Sequence, residues 1–241
     1  IAATGVWTEH TEAMAATEGG LKVLASKGIH IVVPRDRITA SAGMFLRTEK
    51  SVLFVIPWGT HWIIGTTDTD WNLDLAHPAA TKADIDYILD HVNTVLATPL
   101  THEDIDGVYA GLRPLLAGES EETSKLSREH AVASPTPGLV AIAGGKYTTY
   151  RVMAEDAVDA AAEFIPTRVA PSITEKVPLM GADGYFALVN QTQSVGARYD
   201  LHPYRVRHLL DRYGSLIDEV LQLAVDRPEL LRAAIESIVA Q

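Results

Sequence analysis

Cysteine is absent from this sequence of 241 residues, which excludes a disulfide scaffold, a thiolate metal site and a cysteine nucleophile. Long apolar runs are also lacking, because the longest, such as LFVIPW, fall far short of the roughly 18 residues of a membrane helix. Positive charge is scarce, with 20 Lys and Arg against 31 Asp and Glu. The resulting net charge of −11 argues against nucleic-acid binding, which needs clustered basic residues.

What the sequence does contain predicts a globular α/β (α+β) fold followed by an all-α domain. Apolar residues make up 47% of the chain, which is enough for one or two cores. Strands are predicted at 29–34, 51–57, 61–65, 105–109, 129–133 and 138–143. An amphipathic helix is predicted at 81–97, where Thr81 and Asp84 resemble a capping box, and a second helix follows the residues 144–149 and ends at about residue 164. Beyond residue 184 every predicted element is a helix, including those at 203–213 and 228–240. We therefore expect a mixed or antiparallel sheet with helices in residues 1–176, and a helical domain in residues 177–241.

Two turns are predicted next to these elements. Residues 57–60 (PWGT) join two strand candidates and favour an antiparallel hairpin. Residues 111–114 (GLRP) have the composition of a turn at a strand end. The acidic segment GTTDTD at 65–70 could ligate a cation, but it lacks the glycine and distal glutamate of a calcium loop, so a hydrogen-bonded turn is favoured. No histidine pair has metal-ligand spacing, and we predict no metal.

The strongest local signal for a binding site is GGKYTT at residues 144–149, after an apolar strand and before a helix. Two glycines allow close backbone approach, and the first helical turn offers free N–H groups and a positive dipole end. Lys146 adds a cation, and Thr148 and Thr149 add hydroxyl groups. The pattern predicts a phosphate or cofactor cradle; the alternative is a plain strand-to-helix turn with a solvent-facing lysine.

Arg113 and His30 are further candidates. Arg113 lies between Gly111 and Pro114 in an apolar segment, and a guanidinium suits bidentate binding of phosphate or carboxylate. The alternative for Arg113 is an ion pair with Glu119, Glu121 or Glu122. His30 alternates with Ile29 and Ile31, so it faces the other side of a strand, where it could exchange a proton. The alternative for His30 is a hydrogen-bonded core histidine.

Five segments in this order resemble the FAD-dependent glycerol-3-phosphate dehydrogenase family: ATGVW (3–7), KGIHIVVPR (27–35), VIPWGTHWIIGTTDTD (55–70), YAGLRPLL (109–116) and GGKYTTYR (144–151). The resemblance covers the chain to about residue 166, and HPYRVRHLLDRYG is similar to the family's C-terminal helical domain. It implies oxidation of sn-glycerol 3-phosphate at C2 to dihydroxyacetone phosphate, with hydride passing to flavin N5 and electrons to a quinone.

The resemblance also implies roles for individual residues. Arg113 would bind the substrate phosphate or an oxygen, Lys146 would be a substrate and flavin-side cation, and His30 would lie in the substrate pocket with a proton role. FAD contacts would come from the residues of two segments: Ala3, Thr4 and Gly5, and Gly144, Gly145, Lys146, Tyr147, Thr148 and Thr149. Family members are cytoplasmic or peripheral at the inner face of the membrane and can form homodimers. Here Arg205, Arg207, His208 and Arg212 make only a small basic cluster.

One departure from the family is large. The G-x-G-x-x-G turn that binds the FAD pyrophosphate does not occur in these 241 residues. We therefore expect a fragment that is inactive by itself. Two alternatives stay open: another flavin-dependent oxidase of the amine and hydroxy-acid oxidase superfamily, or a non-catalytic binding module derived from it.

Overall fold

The computed structural model describes residues 1–15, 20–49, 52–117 and 129–227. The chain divides into two compact units, Ile1–Pro171 and Ser172–Gln241. The sequence places this division slightly later, between residues 176 and 177. The mixed α/β class with a helical C-terminal region is confirmed.

A six-stranded antiparallel sheet dominates the first unit. After a 3-10 turn at Gly5–Trp7 and helix α1 (Thr8–Met14), its strands are β1 (Val23–Pro34), β2 (Met44–Arg47), β3 (Val52–Trp58), β4 (His61–Gly65), β5 (Thr69–Trp71) and β6 (Gly107–Leu116). β1 is the centre of the sheet: β4 and β5 pair along one edge, and β6 pairs along the other from Val23 to Val32. The predicted hairpin is present, because β3 and β4 pair up to Trp58 and His61.

The core lies on one face of this sheet, under helix α2 (Lys82–Val92). Alternate residues of β1, Ile29, Ile31 and Val33, are completely buried and pack with Ile88 and Val92 of the helix. Thr81 caps α2, as its hydroxyl accepts from the Asp84 N–H while the Asp84 carboxylate accepts from the Thr81 N–H. This is the capping box that the sequence predicts. Because side chains alternate along a strand, the residues of β1 between these core residues point to the opposite face of the sheet.

The predicted turn at residues 111–114 is wrong. All four residues belong to β6, and Arg113 pairs with Ser26 of β1 in the middle of a ten-residue ladder. Among the described strands β6 pairs only with β1, and proline is tolerated in a strand that has one free edge, where its nitrogen can face away from the neighbouring strand. Arg113 therefore projects from a strand and not from a loop.

A smaller layer follows in the same unit. β7 (His130–Thr136) and β8 (Leu139–Gly144) form a hairpin, and a 3-10 turn at Tyr147–Thr149 leads into helix α3 (Tyr150–Ala162). The start of the chain joins this layer by a parallel bridge between Ala2 and Ala141. The Ala2 N–H donates to the Val140 carbonyl at 2.7 Å, and the Ile142 N–H donates to the Ala2 carbonyl at 3.0 Å. The bridge brings residues 1–5 beside the glycine turn that ends β8.

The described part of the second unit contains helices and no strand, as predicted. Its helices are α4 (Tyr185–Val189), α5 (Thr192–Tyr199), α6 (Pro203–Tyr213) and α7 (Ile217–Asp226). Val206, Leu210, Ile217 and Leu221 form its core. The helix predicted at 228–240 lies outside the described residues. Across the described residues, the helices are too short or too polar to cross a membrane.

Candidate active site

The face of β1 opposite the core carries Ser26, Gly28 and His30, since side chains alternate along a strand. In the register with β6, Ser26 lies opposite Arg113, Gly28 opposite Gly111, and His30 opposite Tyr109. Two of the predicted site residues, Arg113 and His30, are thus on one face of neighbouring strands, separated by a pair of glycines.

Arg113 is held by the residues that follow β4. Its Nη2 donates to the Thr66 hydroxyl at 2.8 Å, and its Nη1 donates to the Thr67 carbonyl at 3.2 Å. The Asp68 carboxylate lies 4.0 Å from Nη1. The Arg113 side chain is 26% exposed, so the guanidinium is fixed on its inner side while part of it remains open to solvent.

The glycine at position 28 makes room for this arrangement. A Cβ there would lie 2.3 Å from Arg113 Nη2 and 2.6 Å from Thr66 Oγ1, which is closer than any real contact. The guanidinium therefore crosses β1 at Gly28, toward His30. Gly111, directly opposite, has no atom within 4 Å of its Cβ position.

His30 is packed between two neighbours. Its ring stacks on Tyr109, and a Cβ on Gly65 would lie 2.3 Å from His30 Cδ2. Burial lowers the pKa of the imidazole below its ordinary value of 6.5, and the positive charge of Arg113 lowers it further. His30 is therefore neutral at physiological pH, which leaves one ring nitrogen able to accept a proton.

The turn after β8 has the backbone that the sequence predicts. Gly144 and Gly145 adopt φ values of +78° and +75°, a region that favours glycine. The Thr149 hydroxyl accepts from the Lys146 N–H at 3.3 Å and donates to the Lys146 carbonyl at 3.0 Å. Lys146 and Tyr147 thus precede a helix whose first turn leaves N–H groups without helical partners.

A cavity of about 570 Å³ lies against this turn. Ala3, Gly144, Gly145, Lys146 and Tyr147 from the predicted flavin-binding set line it. The other members of that set, Thr4, Gly5, Thr148 and Thr149, are not among its lining residues. Its remaining wall is mostly apolar and includes Pro114, the residue after Arg113. The cavity therefore reaches the strand that carries Arg113.

Sequence reasoning missed two buried polar groups near this face. Ser26 is fully buried, and its hydroxyl donates to the Asp68 carboxylate. Asp68 belongs to the acidic segment 65–70, for which a hydrogen-bonded turn was predicted. Its contacts are instead with Ser26 of β1 and Arg113 of β6, two strands that are distant from it in the sequence. No local signal marks Ser26, because only the register of β1 and β6 sets it beside Arg113.

The comparisons with known proteins identify the family of the chain. The family described as FAD dependent oxidoreductase matches residues 1–151, and the family described as C-terminal domain of alpha-glycerophosphate oxidase matches residues 172–238. The chain belongs to the FAD dependent oxidoreductase family. FAD is the cofactor of this family, as the sequence resemblance implies.

Relatives within the FAD dependent oxidoreductase family are close. The chain is 75% identical over 98% of its length to glycerol-3-phosphate dehydrogenase 2 of Mycobacterium tuberculosis, and 30% identical over 92% to aerobic glycerol-3-phosphate dehydrogenase of Staphylococcus aureus. It spans 40% and 42% of those two proteins, respectively.

A solved structure agrees. The glycerol-3-phosphate dehydrogenase of Bacillus halodurans complexed with FAD superposes with a TM-score of 0.80 at 32% identity, over 96% of this chain and 46% of that one.

The residues of the cavity fit the ring system of FAD. Apolar walls from Ala3, Pro114 and Ile142 suit a flat aromatic ring, and the turn at Lys146 and Tyr147 presents N–H groups and a cation at one edge. The described residues show no comparable glycine-rich turn for the pyrophosphate. The described lining residues thus fit the flavin end of the cofactor.

Proposed function

We propose that this chain forms the substrate side and part of the flavin side of a glycerol-3-phosphate dehydrogenase, which oxidises sn-glycerol 3-phosphate to dihydroxyacetone phosphate. The observation that supports it most directly is that Arg113 of β6 and His30 of β1 lie on one face of the sheet, while Pro114, the neighbour of Arg113 in the chain, lines the cavity that fits a flavin. This oxidation requires a cation to bind the anionic substrate, a group that accepts the proton, and a site for the flavin.

Arg113 and Lys146 bind the anionic substrate in this proposal. Arg113 is fixed by Thr66 and Thr67, so its exposed edge offers donors in a defined direction to a phosphate or hydroxyl oxygen. Lys146 has a flexible side chain at the rim of the cavity, where it can reach both substrate and flavin. The two cations form a local positive site in a chain with a net charge of −11.

His30 accepts the proton of the C2 hydroxyl. Its lowered pKa keeps it neutral at physiological pH, and the nearby charge of Arg113 stabilises an oxygen that becomes negative as the proton leaves. Bound FAD supplies the acceptor for the hydride from C2. The stack with Tyr109 keeps the imidazole ring facing the side of the sheet on which Arg113 lies.

The remaining assignments rest on the family resemblance. They are a quinone as final electron acceptor, a cytoplasmic location with peripheral membrane association, and a homodimer. We assign the substrate and flavin contacts to the residues up to 176, and the helical region from 177 onward to a separate C-terminal domain.

Steady-state dye reduction by the FAD-loaded holoenzyme tests the proposal. Activity should require glycerol 3-phosphate, and glycerol should not replace it, because Arg113 and Lys146 then lack an anion to bind. Arg113→Ala should abolish the activity, whereas Arg168→Ala, which removes an exposed arginine, should leave it unchanged. A neutral amine substrate that Arg113→Ala barely affects would instead favour another oxidase of the superfamily.

Equilibrium titration with glycerol 3-phosphate and FAD distinguishes the proposed enzyme from a non-catalytic binding module. The 241 residues by themselves, which lack the G-x-G-x-x-G turn, should bind FAD weakly and show no dye reduction. A full-length protein that binds neither glycerol 3-phosphate nor FAD would contradict the proposal and favour a non-catalytic module.

A further inference from the structure

Asp68 is a buried carboxylate beside Arg113. Its side chain is 3% exposed, and its Oδ1 atom lies 4.0 Å from Arg113 Nη1. The same oxygen accepts a hydrogen bond from the hydroxyl of Ser26, which is itself fully buried. An ionised carboxylate at such a position is costly unless hydrogen bonds and an opposite charge compensate it, and here both are present.

The segment that carries Asp68 is attached to β1 at two consecutive positions. The Thr67 hydroxyl accepts from the Ile29 N–H at 3.1 Å, and Asp68 accepts from Ser26. Thr67 is 4% exposed, so this attachment is inside the protein. The segment therefore cannot shift along β1 without breaking buried hydrogen bonds.

Arg113 is bound to this same segment from the other strand. The Thr66 hydroxyl and Thr67 carbonyl accept from its two terminal nitrogens, and Asp68 provides the only charge among these three residues. Neutral acceptors orient a guanidinium, but an opposite charge also opposes its rotation toward bulk water.

We propose that Asp68, held by Ser26, is a positioning residue that fixes the guanidinium of Arg113 over Gly28 and directs its open edge toward the substrate. This deepens the function proposed above and rests on it for its catalytic consequence. Its structural consequence, restricted motion of one arginine, can be measured without any activity.

The first test is side-chain ¹⁵N NMR of Arg113 in this chain, assigned with Arg113→Lys. In the parent chain, the Nε–H signal of Arg113 should show slow exchange with water and restricted rotation. Asp68→Asn should raise the exchange rate at least about tenfold, since the amide keeps the shape and removes the charge. Asp104→Asn, which removes the partner of Arg37 at 2.8 Å, is the matched control and should not change the Arg113 signal.

Ser26→Ala provides a second variant in case Asp68→Asn does not fold. It keeps the charge of Asp68 and removes the hydroxyl that holds it, so the Arg113 signal should again exchange faster. An unchanged Arg113 signal in whichever of the two variants folds would overturn the proposal.

The second test is a double-mutant cycle on glycerol 3-phosphate oxidation by the FAD-loaded holoenzyme. Asp68→Asn should lower kcat/KM at least about tenfold, because small displacements of a substrate-binding group have effects of this size. In an Arg113→Gln background the same change should have no further effect. Losses that multiply would show that Asp68 acts independently of Arg113 and would overturn the proposal. If the holoenzyme does not oxidise glycerol 3-phosphate at all, the proposed function fails, and the NMR result alone decides the role of Asp68.

Discussion

The imidazole of His30 stacks on the phenol ring of Tyr109, with centroids 5.0 Å apart and an angle of 12° between the planes. Tyr109 is about half exposed, and Gly65 closes the other side of the imidazole. The ring that we propose as proton acceptor therefore has little rotational freedom, and its charge state depends on burial and on Arg113.

A titration of His30 should show that both burial and the charge of Arg113 lower its pKa. We expect a pKa below 6.5 in the parent chain, and Arg113→Gln should raise it toward, but not to, 6.5, because burial remains. NMR titration of the His30 ring protons, assigned with His30→Gln, measures both values. An unchanged pKa in Arg113→Gln would show that the guanidinium does not act on His30.

The same shift has a consequence for stability. The unfolded chain binds a proton at His30 more tightly than the folded chain, so His30 makes the folded state less stable as pH falls below about 6.5. Chemical unfolding at pH 7.5 and pH 5.5 should show a smaller pH dependence for His30→Gln than for the parent. An equal dependence in both chains would contradict this prediction.

The buried pair of Lys27 and Asp84 should be important for the stability of the first unit. The atoms Lys27 Nζ and Asp84 Oδ2 are 2.6 Å apart, with side-chain exposures of 5% and 7%. Lys27→Met should lower the free energy of unfolding by about 3–5 kcal/mol, because it leaves a buried carboxylate without its charge partner. Lys82→Met, which breaks an exposed pair with Asp86 at the same distance, should cost less than about 1 kcal/mol.

Acid should remove the contribution of Asp84. Burial raises the pKa of its carboxyl, but hydrogen bonds from Lys27 and Thr81 outweigh burial and bring the pKa below 3.8. The stabilisation is thus fully present above about pH 3.8 and is lost as pH falls through the lowered pKa of the folded state. Denaturant unfolding of the parent and Lys27→Met should converge in free energy under strongly acidic conditions, and a constant difference would contradict the assignment.

Replacing Gly28 or Gly111, which pair across β1 and β6, by alanine should affect kcat/KM differently. In Gly28→Ala the new methyl group would occupy the position of the Arg113 guanidinium, so kcat/KM for glycerol 3-phosphate should fall at least about tenfold. Gly111→Ala, directly opposite in the sheet, has open space and should retain nearly full activity. Steady-state kinetics of both holoenzymes decide the matter, and equal losses would mean that displacement of Arg113 is not the cause.

The turn at Gly144 allows a similar comparison for the flavin side. Gly144→Ala would require a positive φ and would bring a methyl group 2.4 Å from the Glu129 carbonyl oxygen, so the turn has to move. Gly138→Ala has a similar φ of +84° and open space, and controls for backbone strain alone. We expect Gly144→Ala to destabilise the unit by about 1–3 kcal/mol more than Gly138→Ala and to weaken FAD binding to the holoenzyme. Thermal unfolding and flavin fluorescence titration measure these effects, and equal values in both variants would contradict them.

Local chemistry predicted several elements closely. The hairpin of β3 and β4, the capping box of Thr81 and Asp84, and helix α6 (Pro203–Tyr213) each depend on a few neighbouring residues. The residues around Arg113 could not be predicted in this way. Gly111 and Pro114 favour a turn by themselves, but ten register pairs with β1 extend the strand through them.

The residues that hold Arg113 in place could not be predicted from the sequence either. Arg113 and His30 were proposed from sequence, whereas Ser26 and Asp68 were not assigned a role beside Arg113. Their side chains meet only after β1 pairs with β6 and the segment after β4 folds back onto β1. Contacts between segments that are distant in the sequence leave no periodicity or spacing from which they could be predicted.

The parallel bridge between Ala2 and Ala141 affects the order in which the first unit can fold. The two residues are separated by most of that unit, so this contact carries a large loop-closure entropy, whereas the hairpin of β3 and β4 closes locally. During synthesis on a ribosome, the sheet with Arg113 and His30 can therefore form before β8 has been made. The cavity that we propose for the flavin ring needs β8 and α3 and can form only after them. The face that we propose for the substrate can therefore fold before the cavity that we propose for the cofactor.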